Sequence, residues 1–180
     1  MSDPARLRYN TIAIGLHWLL AALIIFMLVM GEDMMQSAEL GDNKPVALHV
    51  SLGVIILVLS LFRLVWRVMN PPPPPEASTK PWEATLSKVT HGLFYVLMIG
   101  LPLSGALGFA GFSSRDMDGQ TVSVLGLFPM PLIANPGLPA IAMHKVGSNL
   151  MIGLVVLHVL AALKHQFIDK DGVLRRMSPH

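Results

Sequence analysis

The sequence predicts an all-α fold, an antiparallel four-helix bundle that is integral to a membrane. Hydrophobic residues make up 53% of the 180 residues and charged residues only 13%, whereas soluble domains carry about 25% charged residues. Four apolar segments each approach the roughly 20 residues that a helix needs to cross a bilayer. Basic residues gather at alternate ends of these segments, as expected for a chain that crosses four times.

The four segments cover about residues 11–31, 46–66, 89–112 and 144–167, and we treat the whole chain as one domain. The first ten residues are polar, and no small-residue cleavage site follows a short apolar core. We therefore expect a retained first helix rather than a cleaved signal. The second segment is uncharged until Arg63, and the fourth is extended at its ends by His144 and His165.

The predicted connections are rich in proline, glycine and polar residues. PPPPPEASTKP (71–81) is typical of a polyproline-II linker, within a Pro-rich connection over residues 70–81. EDMMQSAELGDNKP (32–45) is the first turn-rich connection. Residues 119–144 are uncharged but contain several prolines, which remove backbone donors and break helices. We expect an ordered loop there, at the membrane surface, with room for one short helix.

The distribution of basic residues predicts the orientation. Ten Lys and Arg residues fall in the N-terminus, the Pro-rich connection and the C-terminus, against three on the other side, which are Lys44, Arg115 and Lys145. Cytoplasmic loops carry the excess of Lys and Arg. Both termini are therefore expected in the cytoplasm, with the bundle in the inner membrane of a bacterium.

Composition also excludes several classes of function. The chain has no cysteine, which excludes disulfides, cysteine-ligated iron–sulfur clusters, thiolate zinc sites and covalently attached c-type haem. The net charge is only +2, so a nucleic-acid partner is not expected. The expected surroundings are membrane lipid.

Six of the seven histidines fall on the predicted helices. His144 and His158 are fourteen residues apart, which is about 3.9 turns, so they share a face of the fourth helix. At 1.5 Å per residue they lie about 21 Å apart along the axis. This spacing would place one metal near each membrane surface. Met151, midway between them, is expected to pack rather than to bind.

Depth in the membrane pairs each of these histidines with one on another helix. His17 and His158 both lie toward the cytoplasmic side, whereas His49 and His144 lie toward the outside. Two neutral imidazoles saturate the axial positions of a haem iron, and such a haem carries electrons and binds no dioxygen. We therefore expect an inner haem between His17 and His158, and an outer haem between His49 and His144.

The simpler interpretation is that each histidine only forms a hydrogen bond between helices. Burying an unpaired polar group costs roughly 2–7 kcal/mol, and four would match the whole stability of a domain, about 5–15 kcal/mol. The spans contain almost no carboxylates as partners. Iron is therefore the partner that best accounts for several imidazoles in spans with so few carboxylates. A histidine-lined metal or proton transporter and a purely structural anchor are the alternatives.

Other polar residues near the cytoplasmic surface are candidates for binding a cofactor. His91 and His165 are each open to three roles: a ligand in another pairing, a hydrogen-bond partner of a propionate or quinone, or an interfacial residue. We favour the quinone role. Arg63 shares a helix face with His49, and together with Arg67 it is a candidate for holding a haem propionate. Alternatively, both arginines are only cytoplasmic anchors.

All four predicted helices contain segments that resemble the bacterial cytochrome b-561 family: RYNTIAIGLHWLL (8–20), ALHVSLGVIILVLSLFRLVWRV (47–68), THGLFYVLMIGLPLSG (90–105) and HKVGSNLMIGLVVLHVLAALKHQFI (144–168). The resemblance implies two non-covalent b haems, a quinone partner and an inner-membrane location. Its motifs also map ligation onto His17, His49, His144 and His158. Family members have been linked to superoxide oxidation outside and ubiquinone reduction inside, while others are haem subunits of larger dehydrogenases.

The expected function is therefore a superoxide oxidase that passes electrons through two haems to ubiquinone. No side chain is expected to act as a catalytic residue, since the haems carry the redox chemistry. Lys145 adjoins His144 and Lys44 lies just before His49, so both would attract an anion to the outer haem. A haem subunit fed by a dehydrogenase partner is the alternative. The sequence does not specify an oligomeric state.

Overall fold

A computed structural model describes residues 8–39, 44–76, 78–116, 123–129 and 138–178. In chain order, the elements are α1 (Thr11–Glu39), α2 (Lys44–Met69), α3 (Pro81–Asp116), β1 (Ser123–Val124), β2 (Phe128–Pro129), α4 (Leu138–Lys164), a π-helical turn (His165–Asp169) and a 3₁₀ turn (Leu174–Met177). All four α-helices are long and apolar enough to cross a membrane. The predicted fold class is confirmed.

The helices extend beyond the apolar segments that mark them in the sequence. The apolar span of α1 ends at Gly31, as predicted, but the helix continues to Glu39, and α2 begins at Lys44. Most of the connection predicted for residues 32–45 is therefore helical. Hydropathy reports where a helix leaves the hydrocarbon core, but backbone hydrogen bonds continue into the polar layer of the bilayer. For this reason, the predicted helices were too short at these ends.

Prolines lie at the start of α3 and α4 instead of breaking them. α3 begins at Pro81, well before the predicted start, and the Glu83 carboxylate accepts a hydrogen bond from the Lys80 backbone N–H at 3.0 Å. α4 carries Pro139 in its first turn. Proline is tolerated there because the first N–H groups of a helix have no helical partner. The loop predicted for residues 119–144 is therefore helical at its C-terminal end, from Leu138.

A β-hairpin occupies the described middle of that predicted loop. Leu125 and Gly126 both have positive φ, 54° and 68°, as a two-residue type I′ turn requires. The Leu125 N–H donates to the Ser51 hydroxyl at 2.8 Å, and the Val124 side chain is buried. The hairpin is thereby fixed to α2 two residues beyond His49.

The helices pack in chain order, α1 on α2, α2 on α3, and α3 on α4. Four buried side chains, one from each helix, form the centre of the core: Leu20, Ile56, Met98 and Met151. Met151 is a packing residue, as predicted. Because it lies midway between two histidines of α4, this apolar layer separates two levels of histidine.

The first and last described residues, 8 and 178, lie close together at one end of the bundle. The Trp18 indole N–H donates to the Met177 carbonyl at 2.7 Å, and the Arg8 guanidinium donates to the next carbonyl at 2.9 Å. Arg176 forms an ion pair with Glu76 of the Pro-rich linker at 2.6 Å. Both ends of the described chain and the linker thus lie at the same end of the bundle, as expected for four crossings.

Candidate functional site

The histidines within the spans form two groups at opposite ends of the bundle. The inner tier lies toward the end that carries the termini and contains His17, His91 and His158. The outer tier lies toward the other end and contains His49 and His144. The structure thus brings together both pairs predicted from depth, and it adds His91 to one of them.

In the outer tier, the imidazole centroids of His49 and His144 are 6.0 Å apart, with an interplanar angle of 66°. The Nδ1 of His144 lies 2.9 Å from the carbonyl oxygen of Leu101 in α3. Because a carbonyl only accepts, this nitrogen carries the proton and the Nε2 lone pair is free. A second-shell hydrogen bond of this kind fixes the tautomer and direction of a ligating histidine.

The rest of the outer tier also suits a ligand. The Nδ1 of His49 is buried and has no hydrogen-bond partner among the described residues, which is costly inside a bilayer. The Ser104 hydroxyl lies 3.4 Å from Nδ1 of His144. A Cβ added at Gly105 would come within 3.1 Å of the His144 ring. Glycine at this position therefore gives the ring its room.

In the inner tier, His158 is close to two other imidazoles. Its ring centroid is 6.0 Å from that of His17, at an interplanar angle of 69°, and 5.9 Å from that of His91, at 66°. Phe94 packs edge-on against His158 with 5.5 Å between centroids. All three histidine side chains are half-buried. His158 thus has two imidazole neighbours at nearly the same distance.

The two predicted arginines lie beside the inner tier. A guanidinium nitrogen of Arg63 is 3.4 Å from Nδ1 of His17, and Arg67 lies over the Tyr95 ring at 6.0 Å in a cation–π contact. Both arginines line a small cavity together with aromatic side chains, namely Tyr9, Trp66 and Tyr95. This position is compatible with either of the predicted roles, a propionate contact or a membrane-surface anchor.

His165 lies beyond the inner tier and faces two carboxylates. Its Nδ1 is 2.7 Å from Asp171 and 3.3 Å from Asp169. Burial raises the pKa of Asp171, but hydrogen bonds from the Val173 N–H and from His165 outweigh burial and hold that pKa below its usual value. The histidine is thus positioned by a carboxylate at the surface of the bundle.

At the outer end, Lys145 is an exposed neighbour of His144, and Lys44 is exposed at the start of α2. No carboxylate contacts either histidine tier among the side chains that the structure describes. The tiers therefore consist of imidazoles without acidic partners. Cations at the outer surface would favour the approach of an anion to His144.

The imidazole pairs have the right size for a metal between them. An ion held by two imidazole nitrogens at about 2.0–2.1 Å each leaves the ring centroids about 6 Å apart. His49 with His144 matches this separation, and so does His158 with either inner partner. Histidine pairs of this size, without a carboxylate partner among the described residues, would fit b-type haem iron that transfers electrons.

Sequence reasoning missed the residues that orient the predicted ligands. The Leu101 carbonyl, Ser104 and Gly105 position His144, and Phe94 packs against His158. The sequence feature that could have indicated these residues is Pro102, a proline within a membrane-spanning segment. A proline there marks a place where backbone groups take unusual partners, but it does not identify the partner.

Comparison with known proteins gives a family. A family model described as prokaryotic cytochrome b561 matches residues 8–180. The chain is 33% identical to "Cytochrome b561 homolog 2" of Escherichia coli (strain K12) over 94% of this chain and 90% of that protein. It is 32% identical to "Probable superoxide oxidase CybB" of Yersinia pestis over 96% of both, and 29% identical to "Cytochrome b562" of Cereibacter sphaeroides over 94% of both.

Proposed function

We propose, from the premise that this chain belongs to the prokaryotic cytochrome b561 family, that it oxidises superoxide outside the cell membrane and reduces ubiquinone near the cytoplasmic surface. Family membership and the four spans make it a multi-pass b-type haem cytochrome of the bacterial inner membrane that transfers electrons across it. In balance, two superoxide ions, two protons and one ubiquinone give two dioxygen molecules and one ubiquinol.

We assign the outer haem to His49 and His144, and the inner haem to His17 and His158. The observation that carries the assignment is the common separation of 6.0 Å in both pairs, at opposite ends of one bundle. When bound, the haems supply one-electron chemistry on the two sides of the membrane. Between them lies the packed apolar layer around Met151.

The orientation rests on the positive-inside rule. The end that joins the termini to the Pro-rich linker carries most of the basic residues of the chain, and cytoplasmic ends carry this excess. We therefore assign the inner tier to the cytoplasmic side and the outer tier to the periplasmic side. Superoxide would meet the outer tier, and ubiquinone the inner one.

The chain's own side chains then have distinct tasks. Lys145 and Lys44 attract the superoxide anion toward the outer pair. Arg63 and Arg67, at the inner tier, neutralise haem propionates. His165, held by Asp171 at 2.7 Å, contacts the ubiquinone headgroup through Nε2.

The test is a spectrum of the purified protein with its haem quantified, recorded while superoxide is generated. We expect two haem b groups per chain, reduced by superoxide and reoxidised by ubiquinone. Superoxide dismutase added to the same mixture is the control and should abolish the reduction. Fewer than two haems would contradict the paired assignment. Two haems that do not respond to superoxide would instead favour a subunit fed by a dehydrogenase.

A further inference from the structure

We propose that Trp18 is a positioning residue for the inner haem, and that it couples the C-terminal segment, residues 170–178, to the axial ligand His17. The indole ring would set the orientation of the His17 imidazole, and the C-terminal segment would hold the indole. This inference rests on the inner haem that we assign to His17 and His158. It gives a role to a tryptophan that the proposed function does not use.

Trp18 directly follows His17 in α1, and the two rings are in contact. Their centroids are 5.4 Å apart at an interplanar angle of 72°, which is an edge-to-face arrangement. Successive side chains leave a helix in directions about 100° apart and do not normally face each other. The contact therefore depends on the rotamer of Trp18, and a change of rotamer would free one edge of the His17 ring.

His17 needs such a contact, because its hydrogen-bond partner cannot hold it as a ligand. Its Nδ1 lies 3.4 Å from a guanidinium nitrogen of Arg63. An imidazole that binds iron through Nε2 carries its proton on Nδ1, and Arg63 has only donors. In the outer tier, by contrast, the Leu101 carbonyl accepts from Nδ1 of His144 and orients that ring. The contact of His17 with Trp18 does not depend on the position of this proton.

A hydrogen bond to the C-terminal segment fixes the ring of Trp18. The indole N–H donates to the Met177 carbonyl at 2.7 Å, although the two residues are 159 positions apart in the chain. Trp18 is 46% exposed, so packing alone leaves its ring room to turn. At a membrane surface, a free indole N–H would find other polar partners. The bond to Met177 therefore selects the rotamer that touches His17.

The backbone that receives this bond is itself held from two sides. On one side, the Arg8 guanidinium donates to the Ser178 carbonyl at 2.9 Å. On the other side, Arg176 pairs with Glu76 of the Pro-rich linker at 2.6 Å and donates to the Pro74 carbonyl. A carbonyl orients a donor only when the carbonyl is fixed, and these contacts meet that condition. The linker and the C-terminal segment are thus joined to the inner ligand through the indole.

The experiment uses the full haem-loaded chain and compares Trp18→Phe with Trp82→Phe. The first variant keeps an aromatic ring beside His17 but loses the indole N–H. The second variant changes an exposed tryptophan at the start of α3, at the same end of the bundle. The measurement is the paramagnetic resonance signal of the low-spin ferric haems, because its g values depend on the angle between the planes of the two axial imidazoles.

Trp18→Phe should shift or broaden the signal of the inner haem and leave that of the outer haem unchanged. It should also speed the transfer of the inner haem to apomyoglobin by about tenfold, the lower end of the effect of losing a second-shell partner. Trp82→Phe should change neither quantity. An unshifted inner signal in Trp18→Phe, or an equal shift in Trp82→Phe, would overturn the proposal.

Glu76→Gln tests the coupling from its far end, because it weakens the hold of the linker on Arg176 without changing α1. It should shift the inner-haem signal in the same direction as Trp18→Phe, by a smaller amount. The double variant should match Trp18→Phe alone, since the bond through which Glu76 acts is already lost. Additive shifts, or no shift in Glu76→Gln, would overturn the coupling. Should Trp18→Phe fail to fold, as loss of the outer-haem signal would report, the Glu76→Gln result decides alone.

Glu83→Gln is the matched control for Glu76→Gln. It removes the same charge at the same end of the bundle, but Glu83 pairs with Lys164 of α4 and not with the C-terminal segment. It should leave the inner-haem signal unchanged. An equal shift in Glu83→Gln would mean that the loss of a carboxylate charge, and not the hold on Arg176, moves the signal, and this would also overturn the coupling.

His17→Ala tests the assignment on which the proposal rests. It should lose the inner haem or make it high-spin, which also identifies the inner-haem signal. If both haems stay low-spin in His17→Ala, the assignment of His17 fails, irrespective of Trp18. A high-spin inner haem in His17→Ala together with an unshifted signal in Trp18→Phe would reject the role of Trp18 alone.

Discussion

The Nδ1 of His144 donates a hydrogen bond across the α3–α4 interface to the carbonyl oxygen of Leu101, at 2.9 Å. This bond joins a predicted ligand to a helix that supplies no outer ligand of its own. The bond fixes the orientation of the His144 ring through the proton on Nδ1. Gly105, which is also in α3, leaves space for this ring because it has no side chain. α3 therefore sets the direction of the outer ligand.

The first prediction concerns Gly105→Ala. The new Cβ would lie 3.1 Å from Cε1 and Nδ1 of His144, so the ring must shift by a few tenths of an ångström away from its hydrogen-bonded position. Loss of second-shell support typically lowers metal affinity by about 10–100-fold. We expect weaker retention of the outer haem by about tenfold, measured by haem transfer to an excess of apomyoglobin.

Gly100→Ala is the matched control, because a Cβ at Gly100, also in α3, would meet nothing within 4 Å. It should leave the retention of both haems unchanged. Equal effects of the two substitutions would contradict the role of Gly105. Loss of the inner haem in Gly105→Ala would contradict it too, since His158 is not in contact with this glycine.

The second prediction concerns the stability of the α3–α4 interface. A Cβ at Gly108 would lie 2.8 Å from the Ile141 side chain and 3.3 Å from its backbone nitrogen, whereas a Cβ at Gly147 would approach only the Leu101 and Leu97 side chains. Side chains rotate away more easily than a backbone moves, and overpacking costs about 1–3 kcal/mol. Gly108→Ala should therefore lower the midpoint of thermal unfolding in detergent more than Gly147→Ala does.

Gly153→Ala serves as the reference for this pair, since its Cβ would have nothing within 4 Å. It should unfold at or slightly above the temperature of the unchanged protein, because alanine favours a helix over glycine. A Gly147→Ala protein that is less stable than the Gly108→Ala protein would show that the α3–α4 backbones adjust freely.

The sequence was sufficient for the helices and for the depth of each histidine, because a bilayer imposes strong rules on composition and length. It was insufficient at the helix ends. Lys80, Pro81 and Glu83 form a helix start whose elements are local and recognisable, yet hydropathy placed the start of this helix only at about residue 89. The hairpin depends on the contact between Leu125 and Ser51, which no local pattern reveals.

The histidine pairs of the site were predictable because helix periodicity and the bilayer constrain where each histidine lies. The shared face of His144 and His158 follows from helix periodicity alone, and matched depth selects His49 and His17 as partners. Depth cannot separate His17 from His91, because both lie at the same level and only helix packing sets their distances to His158. Periodicity likewise gives no account of the Leu101 carbonyl, which contacts His144 from another helix.

The third prediction concerns the attraction of superoxide. Lys145→Glu replaces an exposed cation beside His144 by an anion, which should slow haem reduction by superoxide roughly two- to tenfold at low salt. At about 1 M salt the Debye length falls to about 3 Å and the difference should vanish. The measurement is the rate of haem reduction after pulse radiolysis, as a function of ionic strength.

Lys170→Glu is the matched control for Lys145→Glu, because Lys170 is an exposed lysine at the opposite end of the bundle. It carries the same change in net charge and should leave the rate unchanged. Equal slowing by both variants would mean that net charge, and not a local field at the outer tier, governs the rate.

The fourth prediction concerns Asp171, which holds His165 at 2.7 Å and the Val173 N–H at 3.0 Å. Its pKa in the folded protein lies below the usual value of 3.8. The ionised carboxylate therefore stabilises the C-terminal segment above pH 3.8, and this stabilisation is lost as the pH falls through the lowered pKa. Residue-resolved hydrogen exchange at Val173, corrected for intrinsic rates, should show protection that disappears only in that acid range.

In Asp171→Asn the protection should already be weaker at pH 6 and should not change further with acid, whereas Asp169→Asn should keep the transition. A Val173 amide that exchanges identically in the unchanged protein and in Asp171→Asn would show that this carboxylate does not hold the segment.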